Sequence, residues 1–308
     1  MDVLTDVLSS MRLSGEVFCR TELTAPWGIE VPAIGGAAFH VLDRGNAWLF
    51  VEDEEHPISM TGGDLIIFPK SRKHKIVDSL DSTPVPLSDL VKLKGEGNYT
   101  LSYGGGGSHT TLICGRFNVQ GGGQHNLLDS LPPVLHIKGE QGRTIEWLET
   151  TLKFMAWEAD STQPGAQSII AHLTEILFIQ AIRSWITNQP DNSQGWLTAL
   201  NDKQIGEALR HIHKNPEEPW TVETIGLKVG MSRSSFAARF REVVGESPHQ
   251  YLTSWRMQLA SNWLKNSSLK LSEIAEKVGY YSEVAFKRAF KKNIGLPPGA
   301  FRRQAQQV

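Results

Sequence analysis

Cysteine is nearly absent from this sequence: Cys19 and Cys114 are the only two in 308 residues. Two thiols exclude a disulfide framework and fit a reducing compartment, so a non-secreted, cytoplasmic chain is expected. No stretch of 18 apolar residues occurs, and the opening MDVLTDVLSSMRLSGE lacks a basic start followed by an apolar block. Neither a membrane span nor a secretory leader is predicted. The pattern GxSxG is missing, which removes the nucleophile elbow of a Ser/His/Asp hydrolase. GGGGS at Gly104–Ser108 lacks the lysine and helix that a phosphate loop needs. The histidines His40, His56, His74, His109, His125 and His136 are scattered, with no HxH or other short ligand spacing. No metal site and no cofactor are expected, and the chain reads as a non-enzyme.

Excess charge is also missing from the whole, where the net is -2, but not from the parts. Residues 201–308 hold 17 Lys+Arg against 10 Asp+Glu, leaving 14 against 23 for the rest of the chain. A basic C-terminal third on an acidic remainder points to a polyanion partner for the first alone. Unequal solvated surfaces would give the same count. The composition, 40% hydrophobic and 21% charged, is that of folded domains, and the length allows two.

Short β-prone runs, AFHVL, AWLFVE, DLIIFP and TTLICGRF, predict strands between residues 30 and 120. The polar, Gly-rich interval from Asp81 to His109 reads as a long loop or insertion. After Thr144 the period becomes helical, with Ile145, Leu148, Leu152 and Met155, then a second helix carrying Ile169 through Ile182. Its apolar arc is broad enough to pack inside the monomer or on another subunit. TNQPDNSQG then reads as a linker.

The C-terminal segment repeats itself. Val222, Ile225, Val229 and Gly230 return 49 residues later as Leu271, Ile274, Val278 and Gly279. Phe236, Phe240, Gly245, Pro248 and Tyr251 return 50 residues later as Phe286, Phe290, Gly295, Pro298 and Phe301. Each copy predicts one helix, a glycine turn, and a second helix anchored by two Phe, which is a helix-turn-helix pattern. With the Phe pair buried, the opposite face of each second helix is free for a major groove. In the first copy it offers Arg233, Ser234, Ala237, Ala238 and Arg241; in the second, Glu283, Val284, Lys287, Arg288 and Lys291. A helical hairpin that only packs would share the single-copy pattern.

The stretches TVETIGLKVGMSRSSFAARFREVVGESPHQYL, WRMQLASNWL and LSEIAEKVGYYSEVAFKRAFKKNIGLPPGAFR resemble the DNA-binding domain of the AraC/XylS family. The resemblance implies two recognition helices, held apart by a linking helix, in successive major grooves. Its base-reading positions fall on Ser234, Ala237 and Ala238, and on Glu283, Val284, Lys287 and Arg288. The small residues of the first helix limit its readout, because they cannot make bidentate hydrogen bonds. Arg239, Lys265, Lys292, Arg302 and Arg303 are expected at phosphates or as solvated surface.

FHVLDRGNAWLFVEDEEHPISMTGGDLIIFPKSRKHKI is similar to the cupin domain attached to many such regulators, through Gly62, Gly63, Asp64, Pro69 and His74. The expected fold is therefore α+β in two domains: a cupin-like β-barrel followed by a helical pair, then an all-α double helix-turn-helix. The expected segments are 1–140 (sensor), 141–188 (helical pair, possible dimerisation), 189–201 (linker) and 202–308 (DNA-binding). His40 and His74 are candidates for a ligand pocket. Cys19 and Cys114 resemble the paired cysteines of a redox-responsive, reactive-chlorine-sensing branch, with Cys19 the more reactive because Arg20 adjoins it. Two inert core thiols remain the simpler reading. The implied partners are promoter DNA, a second copy of the chain, RNA polymerase, and an oxidant or small molecule as signal. A metal-dependent cupin enzyme fused to a DNA-binding module is the alternative.

Overall fold

A computed structural model describes residues 2–9, 11–33, 35–93, 100–120, 127–139, 145–159, 163–189 and 194–305. In chain order the elements begin with α1 (Val3–Ser9), β1 (Arg12–Thr24), β2 (Gly28–Val31), β3 (Ala37–Arg44), β4 (Asn46–Val51), β5 (Ile58–Thr61), β6 (Leu65–Phe68), β7 (His74–Val77) and β8 (Val85–Pro86). Then come α2 (Leu87–Leu93), β9 (Thr100–Gly104), β10 (His109–Gln120), β11 (Leu135–Ile137), α3 (Glu146–Ala159) and α4 (Ala166–Thr187). The C-terminal region holds α5 (Lys203–Lys214), α6 (Val222–Lys228), α7 (Arg233–Val244), α8 (Pro248–Asn266), α9 (Leu271–Lys277), α10 (Glu283–Ile294) and α11 (Pro298–Ala305).

The chain forms two compact units. One comprises Leu13–Val119 and Leu131–Trp185; the other comprises Met1–Arg12, Gln120–Ser130 and Ile186–Val308. These differ from the segments drawn on the sequence, because α1 buries Val3, Leu4 and Val7 and packs against α5. Trp196, Leu197 and Ala199, read as linker, are buried in the second unit beside a short 3-10 turn. Residues 190–193 of that linker and His125 lie outside the described residues.

In the first unit, sheet one runs β11-β6-β3-β10-β1-β9 and sheet two runs β5-β4-β7-β2-β8. Strand alternation sends Leu23, Ala38, Leu42, Ile66 and Leu112 from sheet one, and Ile29, Leu49, Val51 and Ile76 from sheet two, into one shared core. The barrel interior is thus packed with side chains. On the other face of sheet one, Phe117 meets Phe178 of α4 with ring centroids 4.8 Å apart. α4 is long and apolar enough to cross a bilayer by length and composition. Here Leu177, Phe178, Ala181 and Ile182 are buried against protein instead. Its outward Ile169 and Ile176 stay exposed, as do Phe154 and Trp157 of α3. The interval expected to be a long loop carries β8, α2 and β9, because Leu90 supplies α2 with a fully buried anchor.

In the second unit both copies of the repeat fold alike. Ser232 caps α7 through the Ser235 amide, and Ser282 caps α10 through the Ala285 amide. Gly230 and Gly279 turn each first helix into the second at φ +70° and +73°. Gly279 is doubly required, since a Cβ there would lie 2.7 Å from the Glu217 carbonyl oxygen. α8 joins the copies; its 19 residues span about 28 Å at 1.5 Å per residue.

Candidate functional sites

The two second helices present the faces expected of them. Phe236 and Phe240 of α7, and Phe286 and Phe290 of α10, are fully buried. Opposite them Arg233, Ser234, Ala238 and Arg241 are exposed and Ala237 is half-buried. On α10, Val284, Lys287, Arg288 and Lys291 are exposed, and the half-buried Glu283 pairs with Lys287 at 2.5 Å. Arg233, Arg241, Arg288 and Lys291 make no ion pair with a described residue. Arg239 differs: Asp202 holds it at 2.9 Å and Glu242 at 3.1 Å. Arg302 donates to the Leu269 carbonyl at 2.6 Å, and the Lys265 ammonium lies 5.3 Å from the Phe301 ring centre. Those three cations brace the domain, whereas Lys292 and Arg303 stay exposed.

Inside the barrel the sequence-predicted residues come together in one line. Cys114 on β10 pairs in register with His40 on β3. His40 Nδ1 lies 3.1 Å from Cys114 Sγ, and His40 Nε2 lies 2.8 Å from His74 Nε2 on the facing sheet. His74 Nδ1 contacts the Arg72 carbonyl oxygen at 2.7 Å. At the other end Cys19 lies on β1, the strand beside β10 in sheet one, and acts on the Cys114 thiol. The Arg116–Glu16 and Thr111–Glu22 contacts bracket that thiol pair along the same two strands. His40 and His74 are both buried, the latter stacked on Phe68 at 4.4 Å. They therefore face each other and packed side chains.

Electrostatics hold this line neutral. Burial pushes both imidazoles below their ordinary range, His40 furthest, with His74 lowering it further. Cys19 and burial push the Cys114 thiol well up. The expectation that Arg20 activates Cys19 is corrected, because neighbours in a strand point to opposite faces. Arg20 pairs instead with Glu22 at 2.8 Å and Asp43 at 3.5 Å. Cys19 is buried and Cys114 half-buried.

The line does not suit a metal. His40 presents Cys114 and His74 with opposite edges of its ring, so one ion cannot serve both neighbours. Among the described residues no group of three or more His, Cys, Asp or Glu side chains can hold a metal ion. A feature missed on the sequence is the Asp64 knot. Its carboxylate accepts from Thr61 N, Gly139 N and His136 Nε2 at 2.8–3.0 Å. Burial alone would raise its pKa, but these bonds hold it below the ordinary carboxylate value. The signal was the Gly62-Gly63-Asp64 turn, which needed a partner strand to be read.

A packed two-sheet barrel joined to two capped helix-turn-helix units defines a DNA-binding transcription regulator with its own sensor domain. Comparison with known proteins agrees. A cupin family model matches residues 2–187, and a helix-turn-helix domain model matches residues 227–304. The chain is 32% identical over 308 residues to the HTH-type transcriptional regulator AlkR of Acinetobacter baylyi, covering 99% of this chain and 100% of that protein. It is 31% identical over 306 residues to a putative AraC-like transcription regulator of Streptomyces antibioticus, covering 98% and 99%. With the RCS-specific HTH-type transcriptional activator RclR of Escherichia coli the identity is 32% over 201 residues, covering 65% and 70%. The chain belongs to the AraC-type transcription regulators that carry an N-terminal cupin domain. These relatives are regulators rather than enzymes, and the helix-turn-helix domain binds target DNA.

Proposed function

We propose that this regulator is a cytoplasmic, homodimeric transcription activator that responds to oxidants through Cys19 and Cys114. The observation that carries the reading is the placement of those two thiols on the neighbouring strands β1 and β10 of the sensor barrel, where Cys19 acts on the Cys114 thiol. Cysteines on adjacent strands can close to a disulfide where their Cα atoms come within about 7 Å. That change would alter barrel packing, and a shift of 1.4 kcal/mol between two DNA-binding states is about tenfold in their ratio. The relative named as RCS-specific supports an oxidant as the signal. Exposed Phe154, Trp157, Ile169 and Ile176 on the helical pair are the surface we assign to the second copy, and RNA polymerase is the proposed protein partner at the promoter.

The test is a promoter reporter challenged with hypochlorous acid in cells carrying Cys19→Ser, Cys114→Ser or both. Loss of induction in each folded variant is expected. Folded variants that respond as the parent does would return the search to a small molecule bound by the barrel.

For DNA reading we propose Arg233, Ser234, Ala237, Ala238 and Arg241 on α7, and Glu283, Val284, Lys287, Arg288 and Lys291 on α10. Arg288→Ala is expected to relax sequence preference, since an Arg contact to guanine supplies about 1–3 kcal/mol of discrimination. Ala238→Gly has no hydrogen bond to lose and should leave the preference intact. Selection from a randomised duplex pool reads both, and identical preferences for the two variants would contradict the assignment.

A further inference from the structure

We infer that His40 and His74 form a proton relay that withdraws the hydrogen of Cys114 when an electrophilic oxidant attacks. This rests on the thiol-switch reading above and gives the two histidines a part in it. The direction of the relay is fixed at its far end. A carbonyl oxygen only accepts, so His74 Nδ1, 2.7 Å from Arg72 O, carries its ring's hydrogen. A neutral imidazole has one N–H, which leaves His74 Nε2 as acceptor. His40 Nε2, 2.8 Å away, must therefore donate to it. His40 Nδ1 is then a lone pair, 3.1 Å from Cys114 Sγ. One tautomer of each ring satisfies all three contacts, and the hydrogens run Cys114 to His40 to His74 to Arg72.

At rest Cys19 and burial keep the proton on Cys114, so the thiol is quiet. Attack on hypochlorous acid forms Sγ–Cl as the Cl–O bond breaks and its electron pair leaves with hydroxide. The Cys114 proton moves to His40 Nδ1 while the His40 Nε2 hydrogen moves to His74 Nε2. His74 becomes an imidazolium whose Nδ1–H stays on the Arg72 carbonyl, and the proton then passes to the departing hydroxide through solvent, giving water. Cys19 next attacks Cys114 Sγ: the S–S bond forms, chloride leaves, and the Cys19 proton goes to solvent. Two thiols and one hypochlorous acid thus become one disulfide, water, chloride and a proton; sulfur is oxidised by two electrons and chlorine reduced by two.

Apolar side chains flank the relay. Phe68 and Ile66 of β6, Val31 of β2 and Val51 of β4 are the apolar neighbours of the dyad. Lys73 and Lys75, beside His74 in sequence, point to the outer face, where Lys73 pairs with Glu30 at 2.9 Å. From β10 and β1 the groups that face the dyad are Cys114 and, beyond it, Cys19 and the Thr21 hydroxyl 3.4 Å from Cys19 Sγ.

The test uses the full chain. In a Cys19→Ser background, the rate of Cys114 alkylation by iodoacetamide is followed by mass spectrometry from mildly acidic to mildly alkaline pH. His74→Gln keeps an acceptor for His40 Nε2–H but cannot take a proton. It is expected to slow the reaction about tenfold or more near neutral pH and to leave a rate that rises in proportion to hydroxide. His74→Gln folded as the parent by circular dichroism, with the parent's rate and profile, would overturn the relay. Should that variant not fold, nitrogen-15 imidazole spectra of the unaltered protein decide. Hydrogen on His40 Nε2 and His74 Nδ1 is expected, and the opposite tautomers would overturn it. Zinc held stoichiometrically by the cysteines would also overturn it. A relay that fails while Cys114→Ser still abolishes the reporter response leaves the switch standing. A normal alkylation profile in a protein blind to hypochlorous acid does the reverse.

Discussion

Raising salt from 50 to 200 mM is expected to weaken binding of the full chain to its DNA roughly a thousandfold. The exposed cations Arg233, Arg241, Arg288 and Lys291, ion-paired to no described residue, with Lys292 and Arg303, supply on the order of six phosphate or base contacts. That number implies a slope of about -5 in log affinity against log salt. Single variants sharpen the test because two neighbouring arginines on one helix differ. Arg239 is already held by Asp202 and Glu242, so Arg239→Ala should leave the slope unchanged. Arg241→Ala should reduce it by about one, through loss of one phosphate contact. Fluorescence anisotropy on a labelled duplex measures both slopes. Affinity independent of salt, or equal changes for the two variants, would mean that these helices do not face the DNA backbone.

Phe286→Ala is expected to cost about 3–5 kcal/mol, the usual range for emptying a packed aromatic site. Native domains are stable by roughly 5–15 kcal/mol in all, so the second helix-turn-helix should lose most of its margin. Phe286 is fully buried and meets Tyr280 and Phe290 at ring distances of 5.9 and 5.7 Å. Its core is finished by Met257, Leu264, Ile274 and Val278, none of which can fill the space without moving the helix. Tyr281, one residue beyond Tyr280 and 93% exposed, is the control, and Tyr281→Ala should change stability by no more than about 0.5 kcal/mol. Thermal unfolding followed by tryptophan fluorescence, with DNA binding beside it, separates them. A Phe286→Ala protein that melts and binds as the parent does would show that the buried Phe pair does not hold α10 in place.

The DNA-binding half was legible because its information is local. Phe at i and i+4, a Ser before each second helix and a Gly in each turn are read within one or two turns of helix, and the repeat at 49 to 50 residues confirms the pattern internally. The thiol site was not legible in that way. Its four residues were singled out, but Cys19 and Cys114 share a neighbourhood only because β1 and β10 are adjacent in sheet one, and His40 and His74 meet only because two sheets face each other. Strand pairing is a long-range choice, so the same sequence left Cys19 beside Arg20 and His40 with His74 as candidates for a ligand pocket. Adjacency in the chain misled for Arg20, since alternation sends it to Glu22 and Asp43. In the interval from Asp81 to His109, Pro86-Leu-Ser-Asp followed by Leu90 held a helix-start signal that the surrounding glycines masked. The packing of α1 on α5 has no local mark at all, because any short apolar helix would look the same.

The most direct measurement is equilibrium binding of the full-length protein to a duplex selected by the reduced protein, before and after one equivalent of hypochlorous acid per chain. Intact mass is read on the same samples. The expected result is a protein lighter by two hydrogens, a change in affinity of about tenfold, reversal of both by a thiol reductant, and neither in Cys114→Ser. A disulfide that forms without any change in affinity, or an affinity change that survives in Cys114→Ser, would contradict the assignment of the switch to Cys19 and Cys114.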